Sequence, residues 1–131
     1  MGGQEYRAEV ERAFLKFVYS ANSWQVTDKS GTIYYFGESS ASRMDKSAGN
    51  SFKWALNRIR DVNGNETVLT YVTDSNRLYI SQIAYNANVN SPAIAATHTV
   101  VFTLETRTDN TISYLAGYRV ETRKRLKQIT V

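Results

Sequence analysis

The chain has 131 residues, sixteen basic and twelve acidic, for a net charge of +4, with no cysteine, one proline and nine tyrosines. That length suits one domain able to fold without a metal or disulfide, and the lack of cysteine excludes disulfide frameworks, zinc–thiolate sites and cysteine nucleophiles. The modest positive excess demands no nucleic acid, no apolar run approaches the ~20 residues of a membrane span, and the polar start MGGQEYRAEVER shows no apolar signal-peptide core.

The first segment, YRAEVERAFLKFVYS, admits two readings. Tyr6, Val10, Phe14 and Phe17 mark a helical face, whereas Ala13, Leu15, Phe17 and Tyr19 mark a strand face. The aromatic and β-branched residues of 14–19 favour a strand. In SWQVTDKSGTIYYFG, Asp28-Lys-Ser-Gly31 separates two strand-like runs, which predicts a hairpin of 23–28 and 32–36. The small, polar ESSASRMDKSAGNS reads as a surface loop.

FKWALNRI begins a second predicted hairpin, with Phe52, Trp54 and Leu56 on one face. Asp61-Val-Asn63-Gly64 makes its turn, with Asn65 as a further turn residue beside it, since both residues of an Asn-Gly pair tolerate positive φ, and Thr67–Val72 returns. A turn at 73–76, with Asp74 and Asn76, leads to a strand over Arg77–Tyr85, in which Ile83 and Tyr85 share parity with Tyr79. Residues 86–97 read as a long loop, 98–106 as a strand, and Arg107-Thr-Asp-Asn110 as a reversal. The remainder predicts an irregular segment around Gly117 and one or two strands. Val26–Gly31 echoes Ile59–Gly64, as a sheet built of successive hairpins does.

Chemistry-bearing candidates read mostly as structure. Asp61, Asn63, Asn65 and Glu66 supply oxygens, but Gly64 falls fourth rather than sixth and Val72 stands where a calcium loop needs its glutamate. His98 is the lone histidine and lies in a strand, with no nucleophile motif to partner it. The carboxylates Glu9, Glu11, Glu66, Asp74, Glu105, Asp109 and Glu121 are scattered. The cluster Arg119, Arg123, Lys124, Arg125 and Lys127, near Tyr114 and Tyr118, reads as a solvated strand face at a sheet edge rather than a phosphate contact. No catalytic, cofactor or metal site is expected, and no enzyme activity.

The run DVNGN, then Tyr71, Asp74 and Asn76-Arg-Leu78, is similar to the RHS/YD-repeat pattern, with Asn76 where the repeat has glycine. GTIYYFG, FKWALNRIRDVNGN, LTYVTDSNRLYISQIAYNAN, VVFTLETRTD and GYRVETRKRLKQITV follow in order. Together they resemble the N-terminal region of SpvB-like and TcB-type proteins of bacterial insecticidal toxin complexes. The resemblance implies an RHS-type β-shell fragment that scaffolds a toxin, in a secreted or cell-surface protein. It also implies the remainder of a parent polypeptide and toxin-complex subunits as partners. It carries over no catalytic residue: the ADP-ribosyltransferase and self-cleavage motifs of such proteins are not matched.

The expected fold is therefore all-β, antiparallel hairpins in a twisted sheet, with 1–131 a single module. RLKQITV, apolar-alternating and without a closing turn, predicts a fragment of a longer protein whose uncovered edges pair it as a homodimer. A competing reading is a carbohydrate- or protein-binding module that uses Trp24, Tyr34, Tyr79 and Tyr85 as exposed aromatics.

Overall fold

A computed structural model describes residues 3–9, 14–90 and 92–131. Val10 and Ala13, invoked in the two readings of the first segment, and Glu11 lie outside the described residues. The strands are β1 (Gln4–Arg7), β2 (Lys16–Ser20), β3 (Ser23–Thr27), β4 (Ile33–Phe36), β5 (Arg43–Ser47), β6 (Asn50–Trp54), β7 (Leu56–Arg60), β8 (Asn65–Asp74), β9 (Arg77–Asn88), β10 (His98–Ser113) and β11 (Val120–Thr130). Nine of them form one sheet in the order β1-β2-β3-β4-β7-β8-β9-β10-β11, and every pairing is antiparallel. β5 and β6 form a separate hairpin between β4 and β7. The protein is all-β.

Register sorts the side chains onto two faces, because residues directly opposite each other point the same way. Tyr6, Phe17, Val26, Tyr34, Ile59 and Thr67 form one row across six strands. Tyr19, Trp24, Phe36 and Leu56 form a second row on that face. Leu69, Ile83 and Val100 continue it, followed by Phe102 with Ile129 and Leu104 with Leu126. The opposite face is mixed: Arg7, Lys16, Thr27, Ile33, Arg60 and Glu66 form one row, and Val18, Gln25, Tyr35, Arg58 and Val68 another.

An antiparallel sheet with one apolar face ordinarily packs that face on a second layer. Among the described residues, the β5–β6 hairpin and a short 3-10 turn at Ser40–Ser42 are the elements outside the large sheet that could serve as one. Among the described residues the buried ones include only Met44, Ala55 and Val120 as apolar side chains and Ser42 as a polar one, and no side chain is fully buried. Met44 lines a cavity of about 190 Å³ with Asp45, Thr73, Asn76 and Tyr118, where the hairpin meets the β8–β9 tip and the start of β11.

Several sequence-based expectations are corrected. The polar loop after β4 contains β5, anchored by buried Met44. The run 52–56 is not one strand: Ala55 N–H donates to Ser42 O and its carbonyl accepts from Gly37 N–H, so the chain changes partners there. Leu56 starts β7, whereas Phe52 and Trp54 belong to β6. β9 runs on to Asn88, inside the expected loop. Two register shifts in β9 also break its simple alternation, so Leu78 and Ile80, opposite Thr73 and Tyr71, share a face with Ile83, opposite Leu69. Arg107–Asn110 does not reverse the chain: these residues loop out of β10, between Thr106 paired with Lys124 and Thr111 paired with Thr122.

Candidate interaction surface

Two of the three turns are built alike. At the first, Gly31 N–H donates to Asp28 O, Asp28 N–H donates to Thr32 O, and the Asp28 carboxylate accepts from Ser30 N–H and Thr32 N–H. At the second, Gly64 N–H donates to Asp61 O, Asp61 N–H donates to Asn65 O, and the Asp61 carboxylate accepts from Asn63 N–H, Asn65 N–H and Asn65 Nδ2. Each aspartate is held below the usual carboxylate range, Asp28 first by the Ser30 hydroxyl and Asp61 first by the Asn65 amide. Gly31 and Gly64 take φ of +84° and +81°, whereas Asn63 does not adopt positive φ. The Asn-Gly pair therefore forms no two-residue turn of the kind expected. It ends a three-residue loop closed by a left-handed glycine. Ser75 and Asn76, with φ of 48° and 64°, do form that two-residue turn between paired Asp74 and Arg77.

Adjoining segments hold both of the later tips. Asn88 Nδ2 and Asn90 Nδ2 donate to Asn63 O, at 3.1 and 2.7 Å, and Val89 N–H donates to Gly64 O. At the β8–β9 tip, Ser75 O accepts from Glu121 N–H, and Asn76 Nδ2 donates to Arg119 O. Opposite the 107–110 bulge, the Tyr79 hydroxyl accepts from Arg123 N–H and Lys124 N–H at 3.0 and 3.3 Å. This latch was not foreseen; the polar run RTDN inside an apolar strand was its only signal.

The four aromatics expected to be exposed are half-buried, and each is already engaged. Trp24 packs against Tyr6, Tyr19 and Trp54. The Tyr34 hydroxyl donates to Asp28 Oδ2, and Tyr85 stacks on His98 at 5.4 Å between ring centroids. With Tyr79 in the latch, they sit in four different surroundings. His98 is also bonded through Nδ1 to Asn86 and Thr97.

On the mixed face the charged groups pair with one another. Glu66 accepts from Arg60 at 2.6 Å and Arg58 at 3.4 Å, Arg58 also pairs with Glu38, and its guanidinium lies 4.0 Å over the Tyr35 ring. The apolar face is the opposite case: Tyr6, Phe14, Leu126 and Ile129 stand 42%, 62%, 50% and 51% exposed. Among the described residues no cluster of three or more His, Cys, Asp or Glu side chains could hold a metal, and no helix is long and apolar enough to cross a membrane.

The fold thus defines an all-β module with one mixed side, whose charges pair with each other, and one apolar side that is partly exposed. The chain belongs to the SpvB family: residues 4–101 match the family described as Salmonella virulence plasmid 65kDa B protein. Among curated proteins none matches its sequence. The solved N-terminal domain of effector protein SpvB from Salmonella typhimurium strain LT2 superposes with a TM-score of 0.79 at 15% identity, over 95% of this chain and 56% of that one. The Tc holotoxin pore of Photorhabdus luminescens gives 0.79 at 14% identity, over 95% of this chain and 8% of that one. The TcdB2-TccC3-Cdc42 structure gives 0.76 at 15% identity, again over 95% and 8%. The chain therefore spans about half of the SpvB domain structure and less than a tenth of the Tc chains.

Proposed function

We propose that this chain is a structural β-module of a toxin-complex-type protein: one panel of an RHS-like shell that scaffolds a toxin, without catalysis of its own. Its partners are then the remainder of a longer polypeptide and toxin-complex subunits, and its setting is a secreted bacterial toxin-related protein. The carrying observation is the uncovered apolar face. The chain exposes 8624 Å². A compact monomer of this mass exposes only ~7,000 Å², so the excess is about 1,600 Å². One partner in a standard interface contributes about 800 Å². The excess is about twice that, which suits a panel covered by neighbouring parts. The shared fold with Tc toxin structures supports the same reading.

The test is the chain alone, examined with a dye that binds exposed apolar surface and with light scattering across concentration and salt. The expected results are dye binding and self-association, the simplest product being a homodimer through apolar faces. Association should strengthen with salt as the net charge of +4 is screened. A strict monomer at high concentration, in low and high salt and without dye binding, overturns the reading.

A further inference from the structure

Asparagine followed by glycine is the pair in which a backbone nitrogen most readily attacks a side-chain amide, because glycine has no Cβ to obstruct the approach. Asn63-Gly64 is the only such pair in the chain. Asn63 is exposed, and its side-chain amide bonds to no other group among the described residues. Gly64 behind it is buried. The peptide unit between them is held at both ends. Gly64 N–H donates to Asp61 O at 3.1 Å, and Asn63 O accepts from Asn88 Nδ2 and Asn90 Nδ2 at 3.1 and 2.7 Å. The next carbonyl, Gly64 O, accepts from Val89 N–H at 2.9 Å.

Cyclisation requires the Gly64 nitrogen to lose its proton and swing onto Asn63 Cγ. That motion breaks the bond to Asp61 O and turns Asn63 O away from both asparagine amides. The reactive side chain is therefore in the open while the attacking nitrogen is locked. The two amide donors also draw electron density from Asn63 O, which by itself eases loss of the Gly64 proton. Each such neutral hydrogen bond is worth about fivefold. A nucleophile out of place by about 1 Å loses about 10²-fold. Reach outweighs acidity, so the clamp restrains the reaction.

We propose that Asn63 is the chain's site of spontaneous deamidation, and that the clamp from Asn88, Val89 and Asn90 sets its rate. In the reaction the bond from Gly64 N to Asn63 Cγ forms and the Cγ–Nδ2 bond breaks. Ammonia leaves, carrying the Gly64 proton. Water then opens the cyclic imide at either carbonyl, giving aspartate or isoaspartate with no change in oxidation state. In isoaspartate the main chain runs through Cγ, so the carbonyl that Asn88 and Asn90 hold leaves the backbone. The modification thus undoes the clamp that delays it. It also places a new carboxylate beside that of Asp61, which bonds to Asn63 N–H.

The experiment incubates the full chain at mildly alkaline pH, in native buffer and in enough urea to unfold it. Peptide mass spectrometry follows the change from amide to acid, and an isoaspartate-specific methyltransferase reports the rearranged product. In both solutions the first change should map to Asn63, and unfolding should speed it about tenfold or more. Asn90→Ala should speed it about fivefold in native buffer, the factor set by losing one hydrogen bond, and should quicken amide exchange at Val89 by a similar factor. Circular dichroism shows whether that variant is folded; the comparison of native buffer with urea decides independently of it. First modification at another asparagine, such as Asn22, Asn50 or Asn90 before serine, overturns the proposal. Equal rates in native buffer and urea, or an unchanged rate in folded Asn90→Ala, also overturn it.

Discussion

Gly64 and Gly49 form a natural controlled pair. Both adopt positive φ, +81° and +77°, yet a Cβ on Gly49 meets nothing within 4 Å, whereas one on Gly64 meets the Asn90 amide at 2.7 Å. Gly49→Ala therefore isolates backbone strain, about 1–2 kcal/mol for an L-residue held left-handed. Gly64→Ala adds displacement of Asn90, whose Nδ2 donates to Asn63 O at 2.7 Å. Loss of that bond contributes about 0.5–1.5 kcal/mol more. The expected losses are about 1–2 kcal/mol for Gly49→Ala and about 1.5–3.5 kcal/mol for Gly64→Ala, read from urea midpoints at low salt and low protein concentration. Exchange of the Val89 amide, which donates to Gly64 O, should accelerate only in the second variant. Equal losses in the two variants, with Val89 unchanged, would refute the idea that the 88–90 segment clamps this turn.

Tyr79→Phe removes the acceptor for Arg123 and Lys124 N–H; it should cost ~1–3 kcal/mol and speed exchange at those two amides ahead of the rest of β11. The Asp109 carboxyl is held down to about 2, first by its hydrogen bonds from Arg107, at 2.9 and 2.6 Å. Because the folded value is the lower one, the associated stability is complete above the ordinary aspartate value of ~3.9 and is lost as pH falls through about 2. Carbon-detected titration of Asp109 should show this midpoint, and Arg107→Gln should return it toward the ordinary range. Trp54→Ala removes the ring that packs edge-on against both Trp24 and Tyr19; it should lower stability by about 3 kcal/mol and release the β5–β6 hairpin, seen as faster exchange at Met44.

Turn chemistry was the most legible level. Asp28, Gly31, Asp61, Gly64 and Asn76 sit in short local motifs, and local motifs act through a few neighbouring dihedrals. What escaped depends on distant partners. Met44 lies in a polar run and becomes a strand residue only because β6 and the β8–β9 tip cover it. Ala55 breaks a perfect alternation because its backbone finds Ser42 and Gly37. The shifts in β9 are equally silent, since Ser81 and Asn86 are ordinary polar residues until the register with β8 demands an extra one. The aromatics read as exposed because single-sheet burial is partial: Trp24 is covered by Trp54, thirty positions along.

The strand order carries a kinetic consequence. Apart from the step from β4 to β7, every ladder in the large sheet joins consecutive strands. Loop-closure entropy is therefore met in small increments, and contact order is low for an all-β chain. Any hairpin can nucleate, and pairing can spread outward in either direction as the chain leaves the ribosome. The β11 contacts with Ser75 and Tyr79, more than forty residues apart in sequence, are the long-range tie and should form last. Losing a terminal strand removes one ladder and leaves the others intact, so such a sheet can lengthen by hairpin duplication without a new folding nucleus. The matching turns at Asp28–Gly31 and Asp61–Gly64 show that one local motif can close successive hairpins of such a sheet.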